Sequence, residues 1–321
     1  MTHLIVGAGA MAESYVAVLR HLGESFELLG RSEAGASRAE SRMGVPVMRG
    51  GLDALPAEVG GRYATAIVAV NIESLAGVSR SLAERGIRKI LIEKPAGLDA
   101  SEIVALGRDL AAANVEAYVA YNRRFFASTA AVRRAIAEDG GVSSFHMEFT
   151  EIESRVLSVE RPAAVLANFT LGNSSHVVDL AFHLAGRPIQ AEGAVAGSLP
   201  WHPSASVFAG YGRTATGALF TWHADWGSAG RWFLDIRTSR RRLLMAPLEG
   251  VTVQQKGSFS LDPMPLDDAD DKSFKPGLLR QVQAFLSDDP RKTALPSLAE
   301  HVGLVKTAFM PVFAPGSTGN S

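Results

Sequence analysis

Over residues 1–120, short and continuously apolar runs alternate with longer stretches whose apolar residues recur every three to four positions. The runs fall at residues 4–6, 26–29, 66–70, 90–92 and 117–120, and the periodic stretches at 11–22, 34–43, 75–85 and 100–113. Strands that are apolar on both faces and alternate with helices predict a parallel sheet covered on both sides, a doubly wound α/β unit. Gly23 and Gly86 follow two of the helices as caps, and Asp99 or Ser101 opens another.

A further helix is predicted at 125–137, after which the pattern changes at Asp139-Gly140-Gly141. Residues 142–153 and 189–256 read mostly as strands, with β-branched and aromatic residues punctuated by Gly, Pro and Ser. One helix interrupts them at 175–184. Strands in succession without helices between them imply an antiparallel-rich sheet, so the second half is expected to be α+β. The domain boundary is placed between residues 122 and 123, giving units 1–122 and 123–321. The acidic run at 267–271 reads as a solvated loop, two last helices are predicted at 277–286 and 298–309, and residues 315–321 read as frayed.

Composition changes this picture little. A chain of 321 residues suits two domains, and 47% hydrophobic with 20% charged residues is ordinary for a globular protein. A net charge of −1 offers no broad field to a phosphate backbone, so nucleic acid is not an expected partner. No apolar run approaches the ~20 residues of a bilayer span. The first residues lack a basic segment and read as a strand rather than a signal peptide. With no cysteine, disulfides, thiolate nucleophiles and cysteine-bound zinc are excluded, and the histidines show no metal-binding spacing. His3, His21, His183, His223 and His301 are read as structural. The expectation is a cytoplasmic protein without a metal.

Gly7-Ala8-Gly9-Ala10-Met11-Ala12 fits G-x-G-x-x-G/A between the first strand and the first helix. Gly7 allows the tight turn, Gly9 the approach of a pyrophosphate, and Ala12 the close packing of helix on sheet. Ala10 and Met11 open the helix whose N–H groups and dipole face that anion. The motif in this context predicts a Rossmann domain that binds a dinucleotide. The second run ends Leu28-Leu29-Gly30-Arg31-Ser32, with Gly30 where an NAD-binding domain places an acid for the ribose hydroxyls. Arg31 and Ser32 can both donate to a 2′-phosphate, so NADP(H) is favoured over NAD(H). The alternative is an Arg31 that stacks on adenine or is merely solvated. Val70 and Asn71, at the end of another run, complete the expected cofactor contacts with Glu93 and Lys94.

Ile90-Leu91-Ile92-Glu93-Lys94-Pro95 puts a lysine at a strand's carboxyl end, where doubly wound folds bind ligands, and Pro95 can hold a cis peptide. Together with Gly7 to Ala12, Tyr121-Asn122-Arg123-Arg124-Phe125 and His176-Val177-Val178-Asp179-Leu180, in this order, the chain resembles the family of glucose–fructose oxidoreductase, inositol 2-dehydrogenase and MocA. The likeness covers nearly the whole chain. It implies a Rossmann domain followed by an open-faced, mostly antiparallel sheet through which copies associate as dimers or tetramers. It also implies oxidation or reduction of sugars and cyclitols, with Lys94 near the nicotinamide and substrate hydroxyl and His176 as the catalytic histidine. The stretches 145–151, 173–176 and 274–277 look most like the branch associated with bacterial surface-polysaccharide synthesis.

The chemistry agrees with those roles. A hydride leaving a carbinol carbon requires the hydroxyl proton to go elsewhere, and a neutral imidazole can take it. An ammonium beside the oxygen stabilises developing alkoxide charge. For His176 a capping or core role is the alternative. The family often carries an aspartate four residues before this histidine; here that residue is Gly172, and Asn173 is the nearby hydrogen-bonding group. Asp179, three residues on, could orient a ring nitrogen or belong to a domain contact. Tyr121, Asn122 and Arg123 are expected on the substrate side, with Asn173, Asp179 and His202. An anionic or nucleotide-linked sugar would suit Arg123. The tryptophans at 201, 222, 226 and 232 are read mainly as packing or interface residues. A dinucleotide-binding sensor of the same fold is the first rival, and a reductase for an imine or tetrapyrrole the second.

Overall fold

Six short strands, most of them apolar and largely buried, form a fully parallel sheet in a computed structural model that describes residues 2–289 and 293–313. They are β1 (Thr2–Val6), β2 (Ser25–Leu29), β3 (Val47–Met48), β4 (Tyr63–Val68), β5 (Lys89–Glu93) and β6 (Glu116–Ala120). Their order, β3-β2-β1-β4-β5-β6, is that of a Rossmann domain, with the reversal beside β1. The apolar stripe of the helix Ala10–His21, Ala12, Tyr15, Val16 and Leu19, follows the i, i+3, i+4, i+7 spacing and is buried. Asp99 caps the helix Ala100–Ala112, its carboxylate accepting from the Glu102 amide at 2.8 Å.

The second sheet has eight strands: β7 (Ser144–Glu148), β8 (Pro188–Ala196), β9 (Val207–Thr214), β10 (Leu219–Asp225), β11 (Phe233–Arg237), β12 (Arg241–Met245), β13 (Thr252–Gln255) and β14 (Asp262–Pro263). Their order is β14-β13-β12-β11-β7-β10-β9-β8, antiparallel except for the β7–β10 pair. Along β10, Phe220, Trp222 and Ala224 are buried while Leu219, Thr221 and His223 are exposed. The buried side packs on the helix Ser175–Ala185, where Phe182 meets Phe220 edge-on at 5.1 Å. Trp222 lies so close over β9 that a Cβ at Gly210 would fall 1.9 Å from its ring, which leaves glycine the fitting residue there. The chain is thus an α/β Rossmann unit plus an α+β unit with an open-faced, mostly antiparallel sheet.

Several expectations are corrected. Among the described residues the second domain is not one continuous stretch, because residues 270–302 belong to the Rossmann unit and residues 303–313 return to the other. The cause is the helix Leu278–Leu286, whose Gln281 donates to the Tyr15 hydroxyl at 3.2 Å and whose Phe285 packs on Tyr118. The acidic run is not all loop: Ala269–Ser273 forms a short helix, with Asp270 paired to Arg280 at 3.1 Å and Asp271 accepting from the Gly277 amide. The last helix is Leu298–Leu304, continued by a wider π turn over Val305–Phe313. Residues 315–321 lie outside the described residues. Among the described residues no helix is long and apolar enough to cross a membrane.

Candidate functional site

At the carboxyl end of β1, Gly7 adopts φ +130°, and a Cβ there would lie 2.1 Å from the Ala69 carbonyl oxygen, so only glycine permits the turn. Gly9 is different. It is exposed, and nothing lies within 4 Å of where its Cβ would be. The first intrahelical bond is donated by Glu13 to Gly9, so the amides of the helix's opening residues have no helical acceptor. Ala10 is exposed, and Met11 is half-buried with its sulfur 2.7 Å from the Lys275 Nζ. Backbone room, free amide donors and a helix dipole therefore converge, the requirements of a pyrophosphate cradle.

Gly30 is buried. Its amide donates to the Met48 carbonyl at 2.8 Å and a Cβ would press on Val47 at 3.1 Å, so it seats β3. Arg31 and Ser32 are exposed. The Ser32 hydroxyl accepts from the Gly35 amide, capping the helix Glu33–Met43 and leaving its own proton to donate. Among the described residues Arg31 has no ion-pair partner, whereas Arg49 is held by Glu33 and Glu40 at 2.8 and 2.7 Å. Val70 is half-buried, and Asn71 is exposed at the start of the turn Ile72–Ser74.

Lys94 is half-buried behind a cis Lys94-Pro95 peptide. Glu93 points inward and accepts from the Tyr15 hydroxyl at 2.7 Å. Burial raises the Glu93 carboxyl above its ordinary range against the pull of Tyr15 and Lys94, and burial plus Glu93 hold the Tyr15 phenol well above its own. Glu93 thus anchors the strand end that carries Lys94. His301 fixes the next residue by bonding the Pro95 carbonyl at 2.9 Å. Tyr121 and Asn122 are also corrected. Tyr121 is fully buried against the His301 ring, and Asn122 is buried with its amide donating to the Pro276 carbonyl at 2.9 Å.

In the second unit, a π turn over Thr170–Ser174 delivers His176 to the first turn of the helix Ser175–Ala185. His176 is 7% exposed, its ring 6.1 Å from that of Trp232. Asp179 is committed elsewhere: it binds Arg124 through two oxygens at 2.6 and 2.8 Å, both side chains being enclosed. It is therefore an internal ion pair, not a substrate contact. His202 is withdrawn too, since it is 3% exposed, bonds the Ala205 carbonyl at 2.6 Å and packs edge-on against Trp226. Trp201 stacks on Trp226 at 5.2 Å within the same cluster, and Trp222 is buried in the sheet. Burial, with Arg124 and Arg133 adding to it, pushes the half-buried His183 down to about 3.

A cavity of about 570 Å³ opens beside this histidine turn, lined by Arg123, Asn173 and Trp232 among others. Asn173 does reach it, but its amide donates to the Glu151 carboxylate at 3.0 and 3.1 Å, and Ser174 donates to the same group at 2.7 Å. Glu151, just past β7, thus brings a carboxylate to the turn whose expected acid is replaced by Gly172. Sequence reasoning missed this role, and its only local signal is an acid shortly after a strand. Arg123 lies over the Trp232 ring at 4.9 Å and the Phe126 ring at 5.8 Å. Burial lowers its guanidinium to about 10, opposed by Glu249 and Glu151, and it remains cationic at neutral pH.

These two units define a two-domain fold, a parallel Rossmann sheet joined to a mostly antiparallel eight-stranded sheet. No protein-family model matches the chain, and no curated protein matches its sequence. Solved structures do match in fold. An oxidoreductase from Agrobacterium radiobacter, in complex with NAD+, L-tartaric acid and magnesium, superposes with a TM-score of 0.75 at 14% identity, covering 96% of this chain and 95% of that one. UDP-N-acetylglucosamine 3-dehydrogenase from Acidithiobacillus ferrooxidans gives 0.74 at 14% identity over 98% and 97% of the two chains. A levoglucosan dehydrogenase in complex with NADH gives 0.75 at 16% identity over 96% of each.

Proposed function

We propose that the protein is an NADP(H)-preferring oxidoreductase that interconverts a carbinol and a carbonyl on a sugar or nucleotide-linked sugar. The observation that carries the reading is the open cradle at Gly9 and Ala10 in a Rossmann sheet, backed by fold neighbours that include an oxidoreductase solved with NAD+ and L-tartaric acid and a levoglucosan dehydrogenase solved with NADH. When bound, the nicotinamide would supply or accept the hydride. The amides after Gly9 would hold the pyrophosphate, Lys94 would stabilise negative charge on the substrate oxygen, and His176 would take or return its proton. A role in surface-polysaccharide synthesis is proposed on the sequence resemblance. Steady-state turnover over a panel of sugars tests the reading: a substrate-dependent change in nicotinamide absorbance supports it. Dinucleotide binding without turnover on any member would favour a sensor.

The preference for NADP(H) rests on the exposed, unpaired Arg31 beside Ser32. NADPH should bind at least about tenfold more tightly than NADH, which corresponds to about 1.4 kcal/mol. Arg31→Ala should erase most of that margin, since a charge-assisted contact contributes roughly 1.5–3 kcal/mol. Equal affinities in the parent protein would refute the preference.

Self-association through the exposed sheet face is proposed as well, because Tyr211 and Leu219 stand there at 55% and 54% exposure. Light scattering at micromolar concentration should return a dimer or tetramer, and a monomeric mass would count against it.

A further inference from the structure

The cavity beside His176 is unusual in what its arginines lack. Four guanidinium groups line it, those of Arg123, Arg155, Arg161 and Arg231, against the carboxylates of Glu151 and Glu249. Among the described residues none of the four has a carboxylate within the 4.0 Å of an ion pair, although Arg49, Arg62, Arg80, Arg124, Arg241 and Arg242 all do. Glu151 is meanwhile bonded by Asn173 and Ser174. Arg161 is propped by the Val156 and Val159 carbonyls and the Phe169 face, which leaves its charge uncompensated. The Arg123 Nε is buried with no hydrogen-bond partner. A buried donor without a partner is costly, and like charges held together repel, so such a cluster is stable when an anion completes it.

We propose that this cavity binds the anionic group of the substrate, an organic phosphate or carboxylate carried on a hydroxylated body, with Arg123 as the residue that selects it. The inference rests on the oxidoreductase reading for the word substrate, but the anion site stands on its own geometry. The cavity's size lies within the ~300–1,000 Å³ of small-molecule pockets, room for more than a lone ion. Arg123 is held flat by Trp232, and Trp232 is also the ring against His176, so an anion on Arg123 lies one aromatic residue from the proposed proton acceptor. Arg155 and Arg231 are exposed at the mouth, where they add attraction that salt will screen.

Calorimetric titration of the intact protein, with NADPH present, with glucose, glucuronate, glucose 6-phosphate and UDP-glucose tests this. At least one anionic ligand should bind ten times more tightly than neutral glucose or better, and which arm wins tells carboxylate, phosphate monoester and diphosphate apart. Raising the salt should weaken that ligand and not glucose. Arg123→Lys, which keeps the charge but loses the planar fork, should weaken it about tenfold or more, and the exposed variants Arg155→Ala and Arg231→Ala should each weaken it several-fold with NADPH affinity unchanged. Anion binding that shows this pattern without turnover on any ligand would uphold the site while sinking the oxidoreductase reading. Turnover of neutral sugars that is indifferent to all three substitutions would overturn the site alone, as would equal affinity for glucose and every anion.

Discussion

His176→Asn should reduce turnover by roughly a hundred- to ten-thousandfold while leaving NADPH affinity within a few-fold, the usual signature of removing a positioned acid or base. Asparagine keeps a hydrogen-bonding group of similar reach but cannot carry a proton. The ring sits in the first turn of a buried helix, tilted against Trp232 and three residues beyond Asn173 on the cavity wall. Because Asn173 is bonded to Glu151, Asn173→Ala is expected to act through the carboxylate's position and to cost much less. Steady-state rates at saturating cofactor check both variants. Near-normal activity in His176→Asn would mean that the proton leaves by another group, Lys94 being the first alternative, and would return His176 to a structural role.

Asp179→Ala should destabilise the protein by about 3–5 kcal/mol, since it strands a buried guanidinium without its counter-ion. The pair is bidentate and its carboxylate side chain is 2% exposed, so water cannot replace the lost partner. Joining the 3-10 turn Asn122–Phe125 to the helix Ser175–Ala185, it also steadies the element that carries His176. Replacing both members with apolar residues, as in Arg124→Met with Asp179→Leu, should recover most of the loss, because neither charge then needs solvation. Denaturant unfolding followed by circular dichroism reads the difference. A cost below about 1 kcal/mol for Asp179→Ala would be typical of a solvent-exposed pair and would contradict this reading.

The Rossmann unit was legible in the sequence because parallel strands buried on both faces read as unbroken apolar runs, and because its caps and glycine turn are local signals. Asp99 capped its helix as expected, and the Lys94-Pro95 peptide is cis. The two-residue β3 is too short to leave a pattern. The return of residues 270–302 to the first unit depends on Gln281 and Phe285 meeting Tyr15 and Tyr118, contacts between positions far apart along the chain. The same holds at the site. The types of residue at Tyr121, Asn122, Asp179 and His202 suggested ligand contacts, but tertiary packing spends each of them internally. Conversely, Arg155, Arg161 and Arg231 sit on separate segments with nothing in their spacing to mark them, and only the fold gathers them around one cavity.

The central claim is that this chain moves a hydride between a nicotinamide and a hydroxylated carbon. Its most direct test follows the label itself: NADPH deuterated at C4 on either face, incubated with the protein and a pool of neutral and anionic keto-sugars, with products read by mass spectrometry. Deuterium is expected on the carbinol carbon of at least one product, delivered from one face of the nicotinamide only. Label retained by tightly bound cofactor with every sugar would contradict it.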